Sequence, residues 1–298
     1  MFSLSKSSGK EIAHALNGDK IYLNESDPTD NQGELFELID EKVVRKLIGR
    51  RINTIEINLL KKAIQIKQRP LQEYLAAAYD KLITMYDKKN QSEIIMDSGD
   101  LMLSPSKKRH RLFIAGASGC GKSTFLCAYV KDFLKKNPHF KIILFSDVDQ
   151  SGDKVLSSLE MIRVSLDEKL VDHPIEPHEL ANSIVIFDDV DSIQNKKIKL
   201  AVELLCDSCL LQGSTKNNIE VIVTRHASSD YRATRVATMN CTHFVFFPAS
   251  KVSLAYTLQK LGLDKKQIAR AMSLPTRWGI ICTQHPMMVL YQSGAYIL

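Results

Sequence analysis

Two stretches of this 298-residue chain carry residue types that can act on phosphate. The first, GASGCGKST at residues 116–124, fits G-x-x-x-x-G-K-[ST] and closes an apolar run, RLFIAG. Gly116, Gly119 and Gly121 allow the tight turn through which backbone amides converge on phosphate oxygens at a helix N-terminus. The binding loop is expected to comprise Gly116, Ala117, Ser118, Gly119, Cys120, Gly121, Lys122, Ser123 and Thr124. Lys122 would reach the β- and γ-phosphates of ATP, and the Ser123 hydroxyl would bind Mg²⁺. The second stretch, IVIFDDVD at 184–191, is four apolar residues running into Asp188 and Asp189, with Asp191 close behind. Burying a carboxylate without a partner is costly, so these acids need a cation or a polar contact. Asp188 is the expected second anchor for magnesium. Asp189 points to the other side of the strand end and would orient or deprotonate the attacking water. Asp191 is expected to cap a helix beginning near residue 195.

A third stretch, IEVIVT at 219–224, ends in Thr224, a polar side chain placed to sense the γ-phosphate, followed by Arg225 and His226. Next, SSDYRATR puts Arg232 and Arg235 on what should be a surface helix. An arginine delivered to a neighbouring subunit's nucleotide can contribute roughly 10³ to 10⁵ in rate, and Arg235 is the candidate for that role. The 66 residues from Lys122 to Asp188 leave room for a helix and a further strand, as in ATPases that polarise water with an acid. No NKxD guanine motif appears, since QNKK at 194–197 lacks its aspartate. This pattern favours ATP hydrolysis over GTP switching or phosphoryl transfer to a metabolite.

The elements that must position these residues form an alternating pattern. Strands are expected at 111–116, 141–146, 183–188, 219–224 and 242–247, with 161–166 either a strand or a loop edge. Helices are expected at 122–136, 195–212 and 228–239, then at 251–261 and 264–273, before a hairpin turning at His285 and Pro286 and a last extended stretch. Near-continuous apolar strands alternating with helices indicate an α/β domain, a mainly parallel sheet covered by helices on both faces. Residues 1–110 read differently: a strand at GDKIYL, a loop at 25–33, helices at 34–50, 54–67 and 70–86, and a short extended pair, EIIMD and LMLSP. The expected division is a mostly helical N-terminal region, 1–110, and an ATPase domain, 111–298.

Composition sets outer bounds. A hydrophobic fraction of 44% with 25% charged residues suits a soluble globular chain. No apolar run approaches the roughly 20 residues of a membrane span, and the N-terminus lacks a secretory signal's apolar centre, so an intracellular setting is expected. The six cysteines read as reduced thiols, and the Cys206–Cys209 CxxC as part of a buried helix face. Formal charge is +6, and residues 42–69 hold nine basic residues against one acid. Solvated helix faces are the favoured reading of that cluster, with phosphate-backbone binding the alternative.

The ordered blocks GASGCGKST, NSIVIFDDVDSI, VIVTRHASSDYRATR, THFVFFPAS and LPTRWGIICTQHPMMVLYQSGAYIL resemble the genome-packaging ATPases of nucleocytoplasmic large DNA viruses, a branch of the FtsK/HerA superfamily of P-loop DNA translocases. The resemblance spans about 111–298. It implies a P-loop NTPase fold, ATP and Mg²⁺ as cofactors, and a homo-oligomeric ring, a pentamer or hexamer, that drives double-stranded DNA into a preformed capsid. Viral capsid or vertex proteins would be partners, at host cytoplasmic sites of virion assembly or on the virion. Lys122 and Ser123 match the family's phosphate-loop pair, and Asp188 and Asp189 its magnesium and water-activating acids. The chain departs from the pattern where Gly213, Ser214 and Thr215 replace a frequent Gly-Arg-His, and where Arg225 replaces a small residue. Whether Arg225, Arg232 or Arg235 serves a neighbouring site stays open at this level. The other readings are a P-loop small-molecule kinase and a nucleotide-controlled scaffold.

Overall fold

The computed structural model describes residues 2–3, 9–15, 18–23, 93–96, 101–104, 109–148, 155–226, 231–250, 254–284 and 286–298. The helices expected at 34–50, 54–67 and 70–86, the loop at 25–33, the basic cluster at 42–69 and His285 lie outside the described residues. The chain divides into two compact units, Met1–Glu11 with Asp19–Ile94, and Ile12–Gly18 with Ile95–Leu298. The boundary expected at 110/111 therefore falls inside the second unit.

In the first unit, strand β1 (Phe2–Ser3) pairs antiparallel with β3 (Lys20–Leu23), Phe2 opposite Leu23. Between them in sequence comes β2 (Lys10–Ala15), which the sequence reading passed over. A short strand, β4 (Glu93–Ile95), lies at the division. In the second unit, Ala13–Ala15 of β2 pair antiparallel with β5 (Leu101–Leu103).

The second unit is built on a mixed sheet. Its strands are β6 (Arg111–Gly116), β7 (Lys141–Ser146), β8 (Ile162–Arg163), β9 (Ser183–Asp188), β10 (Glu220–His226), β11 (His243–Phe246), β12 (Gly279–Cys282), β13 (Met288–Tyr291) and β14 (Gly294–Ile297). They run in the order β14-β13-β12-β11-β6-β10-β9-β7-β8. From β11 to β8 every pairing is parallel, and the C-terminal strands β12 to β14 extend the sheet as an antiparallel meander. Of the sequence-based strands, 111–116, 141–146 and 183–188 match residue for residue, while 161–166 shrinks to Ile162–Arg163.

Both faces of the sheet are buried because consecutive side chains of a strand point oppositely. Helix α1 (Lys122–Lys136) turns Phe125, Leu126, Tyr129, Val130 and Phe133 inward, a helical spacing, and Tyr129 reaches Glu220 on one face of β10. On the other face Phe113, Val185, Phe187, Val221 and Val223 pack in one cluster with Ile198, Val202, Leu205 and Cys206 of α2 (Lys196–Ser208). The same cluster takes in Ala237 of α3 (Tyr231–Asn240), Leu254 and Leu258 of α4 (Leu254–Lys260) and Ala271 of α5 (Lys265–Met272). Cys206 and Cys209 are buried there, and burial pushes both thiols up, Cys209 to about 12, so neither is a ready nucleophile. Among the described residues no helix is long and apolar enough to cross a membrane.

Where β10 begins, Glu220 is sealed beneath α1. Tyr129 donates to its Oε1 at 2.5 Å and the His110 amide to its Oε2 at 3.0 Å. Burial nevertheless dominates and lifts its carboxyl from 4.5 to about 8. Between those values the folded chain keeps a proton that the unfolded chain has released, so Glu220 withdraws stability as pH rises from about 4.5 to about 8. Glu220→Gln keeps a carbonyl acceptor without the charge. Thermal melts should show the wild type losing Tm between pH 5 and pH 8.5 more steeply than the variant; equal slopes would contradict the buried, protonated acid.

Candidate functional site

Parallel pairing gathers the C-terminal ends of β6, β7, β9 and β10 along one edge of the sheet, and the residues singled out above lie there. Register fixes the details. His226 stands opposite Gly116 across β10–β6, Val223 opposite Phe187 across β10–β9, and Ser146 opposite Asp188 across β7–β9. A slip of one residue would turn each of these side chains to the wrong face.

The loop after β6 is a cradle with little spare room. Gly119 and Gly121 adopt φ of 73° and 108°, left-handed values that glycine reaches without strain. A Cβ on Gly116 would stand 2.5 Å from Cys120 Sγ and 2.9 Å from Phe247 Cδ2, so only glycine fits. Ser250, buried after β11, accepts the Ala117 amide at 2.7 Å and ties the loop to that strand. Helix α1 follows at Lys122, with no side-chain cap on its first turn, so its leading amides face outward from the helix. Ser123 is half-buried in that turn, and Lys122 is buried, its Nζ donating to the Gly116 carbonyl at 3.2 Å. Cys120 sits in the loop with its thiol pushed up by burial, against the pull of Lys122.

Across β10 the two acids are held by one hydroxyl. Thr224 is 1% exposed; its Oγ1 donates to Asp188 Oδ1 at 2.5 Å and accepts the Asp189 amide at 3.1 Å. Ser146 donates to Asp188 Oδ2 at 3.3 Å. Asp189 takes a left-handed backbone, φ 43° and ψ 43°, which aspartate tolerates better than most residues. Its Oδ2 lies 3.1 Å from His226 Nε2, while its Oδ1 is buried with no hydrogen-bond partner. From sequence, Thr224 is expected to face the γ-phosphate. Its hydroxyl is instead committed to both aspartates, so it braces the acids rather than facing a ligand.

Two further expectations change. Asp191 does not cap the following helix: Asn195 does, accepting the Lys197 and Ile198 amides. Asp191 Oδ1 instead accepts from Arg225 Nη1 at 2.7 Å. That pairing, with Arg225 only 4% exposed, keeps Arg225 inside its own subunit and removes it as an arginine for a neighbour. Arg235 is exposed on α3, and the Arg232 side chain lies outside what is described. The residue that sequence reasoning missed is His226, which contacts both Lys122 and Asp189; its position directly after Thr224 and Arg225, at a parallel strand's tip, was the signal available.

The donor set suits a magnesium nucleotide. It combines a glycine cradle open to phosphate, an ammonium at its base, a serine hydroxyl in the first helical turn, a braced carboxylate and a second carboxylate with one orphaned oxygen. Among the described residues no cluster of three histidine, cysteine or carboxylate side chains stands ready for a metal by itself.

No protein-family model matches the chain. The uncharacterized protein V3 of Sputnik virophage is 30% identical to it over 215 residues, 70% of this chain and 86% of V3. Among solved structures, the genome packaging NTPase B204 from Sulfolobus turreted icosahedral virus 2 is 12% identical, covers 63% of this chain and 98% of its own, and superposes with a TM-score of 0.42. The pCW3 conjugation coupling protein TcpA is 10% identical, with 72% and 68% coverage and a TM-score of 0.44.

The brace can be tested without nucleotide. Thr224→Val keeps the volume but leaves Asp188 Oδ1 and the Asp189 amide unpaired, whereas Thr224→Ser keeps the hydroxyl. Chemical denaturation should show Val costing about 1–3 kcal/mol and Ser under about 1 kcal/mol. A Val variant as stable as wild type would mean the hydroxyl does not hold the acids.

Proposed function

This chain belongs to the family of the uncharacterized protein V3 of Sputnik virophage, and from that kinship and the site's own geometry we propose that it is an ATP-driven motor that moves viral double-stranded DNA into a preformed capsid. The observation that carries the hydrolytic part is the pair of acids braced by Thr224 beside the glycine cradle, with Asp189 Oδ1 buried and unpartnered. The motor part rests on the ordered sequence blocks, the viral source of the relative and the net positive charge of +6, which suits a polyanionic track.

The positions of the atoms support one duty for each residue. Amides of the 116–124 loop other than those of Ala117 and Cys120, which bond within the chain, and the Lys122 ammonium hold the phosphates of ATP. Ser123 and Asp188 hold Mg²⁺, which when bound offsets the charge shared between the β- and γ-phosphates. Thr224 and Ser146 keep Asp188 in place through its two oxygens. Asp189 has one oxygen engaged by His226, and the other, Oδ1, is the acceptor for a proton of the attacking water. The exposed Arg235 is the arginine offered to the next subunit in a homo-oligomeric ring, a pentamer or hexamer. Viral capsid or vertex proteins are the docking partners in this reading, and the host cytoplasm its setting.

Phosphate release by the purified chain, with and without double-stranded DNA, tests the proposal. DNA should stimulate turnover at low salt and lose that effect as salt rises. Lys122→Ala and Asp189→Asn should each lower turnover by about 10²-fold or more. Transfer of phosphate to a nucleoside monophosphate would point instead to a kinase, and nucleotide binding without turnover to a scaffold.

A further inference from the structure

His226 joins the two halves of the site. Its Nδ1 lies 3.3 Å from Lys122 Nζ and its Nε2 lies 3.1 Å from Asp189 Oδ2. One tautomer satisfies both contacts: Nε2–H donates to the carboxylate, and the lone pair of Nδ1 accepts from the ammonium. The side chain is 53% exposed, so it is not there to fill a core. Its place comes from these two contacts and from the register that sets it opposite Gly116, at the root of the phosphate loop. The result is an aspartate gripped at Oδ2 with Oδ1 left over, and a lysine shared between the imidazole and the Gly116 carbonyl.

Lys122 has a rival claim on it. Its ammonium carries three donors, and phosphate oxygens, being charged, accept more strongly than a neutral imidazole nitrogen. Asp189 has no such rival, because a carboxylate and a phosphate repel. An arriving nucleotide therefore breaks one of the two His226 contacts and spares the other.

Building on the ATPase reading above, we infer that His226 is a phosphate-responsive positioning residue. It links Lys122 to Asp189, surrenders Lys122 to the β- and γ-phosphates, and keeps its hold on Asp189 Oδ2 so that Oδ1 stays aimed at the water. Two consequences oppose each other. The Lys122 contact competes with nucleotide and weakens its binding, while the Asp189 contact speeds hydrolysis, because an acid free to swing loses the alignment on which proton transfer depends.

Two variants of the full chain, His226→Ala and His226→Gln, separate these effects. Calorimetry with Mg²⁺ and the non-hydrolysable analogue AMPPNP should show Ala binding roughly 2- to 10-fold more tightly than wild type, the range set by one lost competing hydrogen bond. Phosphate release from saturating ATP should fall about 10²-fold in the same variant, with its melting temperature unchanged. Gln, which offers an amide donor and a carbonyl acceptor, should return both affinity and turnover toward wild type. An Ala variant that binds no more tightly, or that turns over as fast as wild type, overturns the inference. If the wild type itself releases no phosphate, the ATPase reading fails, and the affinity comparison alone decides the His226–Lys122 contact: tighter binding by Ala upholds it and equal binding sinks it.

Discussion

A single hydroxyl, Thr224 Oγ1, donates to the Asp188 carboxylate and accepts the Asp189 amide, and it can do both only because β10 lies in parallel register between β9 and β6. Everything else at this edge of the sheet follows from that placement. Two residues further along the same strand, His226 arrives opposite Gly116 and meets the lysine of the phosphate loop. The strand thus connects the two halves of the site through its own side chains. Acids that would be costly at the end of a core strand are tolerable because each has named polar contacts, and Asp189 Oδ1 alone among their oxygens is buried with no hydrogen-bond partner.

The charged residues around the site divide by what they face. Arg225 and Asp191 pair with each other behind the strand tip, where α2 is entered, and are thereby spent on structure. Lys122, Asp189 and His226 form a second chain of contacts whose members each retain a use for a ligand. In a partly buried setting such contacts are stronger than on an open surface, so the commitment of Arg225 is as informative as the availability of Asp189 Oδ1.

Much of this was legible in the sequence. Strands with unbroken apolar runs, such as RLFIAG and SIVIFD, and helix α1 fall at their expected residues because burial on both faces leaves no other period to read. The 116–124 loop and the two acids stood out because residue type and spacing mark them, and the structure brings them to one edge of the sheet. The rest depended on neighbours that spacing does not reveal. Asp191 lies a plausible distance from a helix start, but Asn195 is nearer and takes the cap, leaving Asp191 to an arginine 34 positions away. Thr224 looks like a ligand contact until β9 is placed beside it. The role of His226 requires knowing that its strand passes the phosphate loop in register. Strand β2, Lys10–Ala15, is as long as β6, but its KEIAHA mixes charged, small and apolar residues, so no continuous apolar run marks it.

In the proposed function Lys122, Ser123, Asp188 and Asp189 surround one magnesium nucleotide. A structure of the chain solved with Mg²⁺ and AMPPNP measures this most directly. The γ-phosphate should lie against Lys122, the ion between Ser123 and Asp188, and Asp189 should still be held by His226 with Oδ1 toward a water in line with the γ-phosphate. A nucleotide bound away from the 116–124 loop, or an Asp189 turned out of the site while the nucleotide is in place, would contradict it.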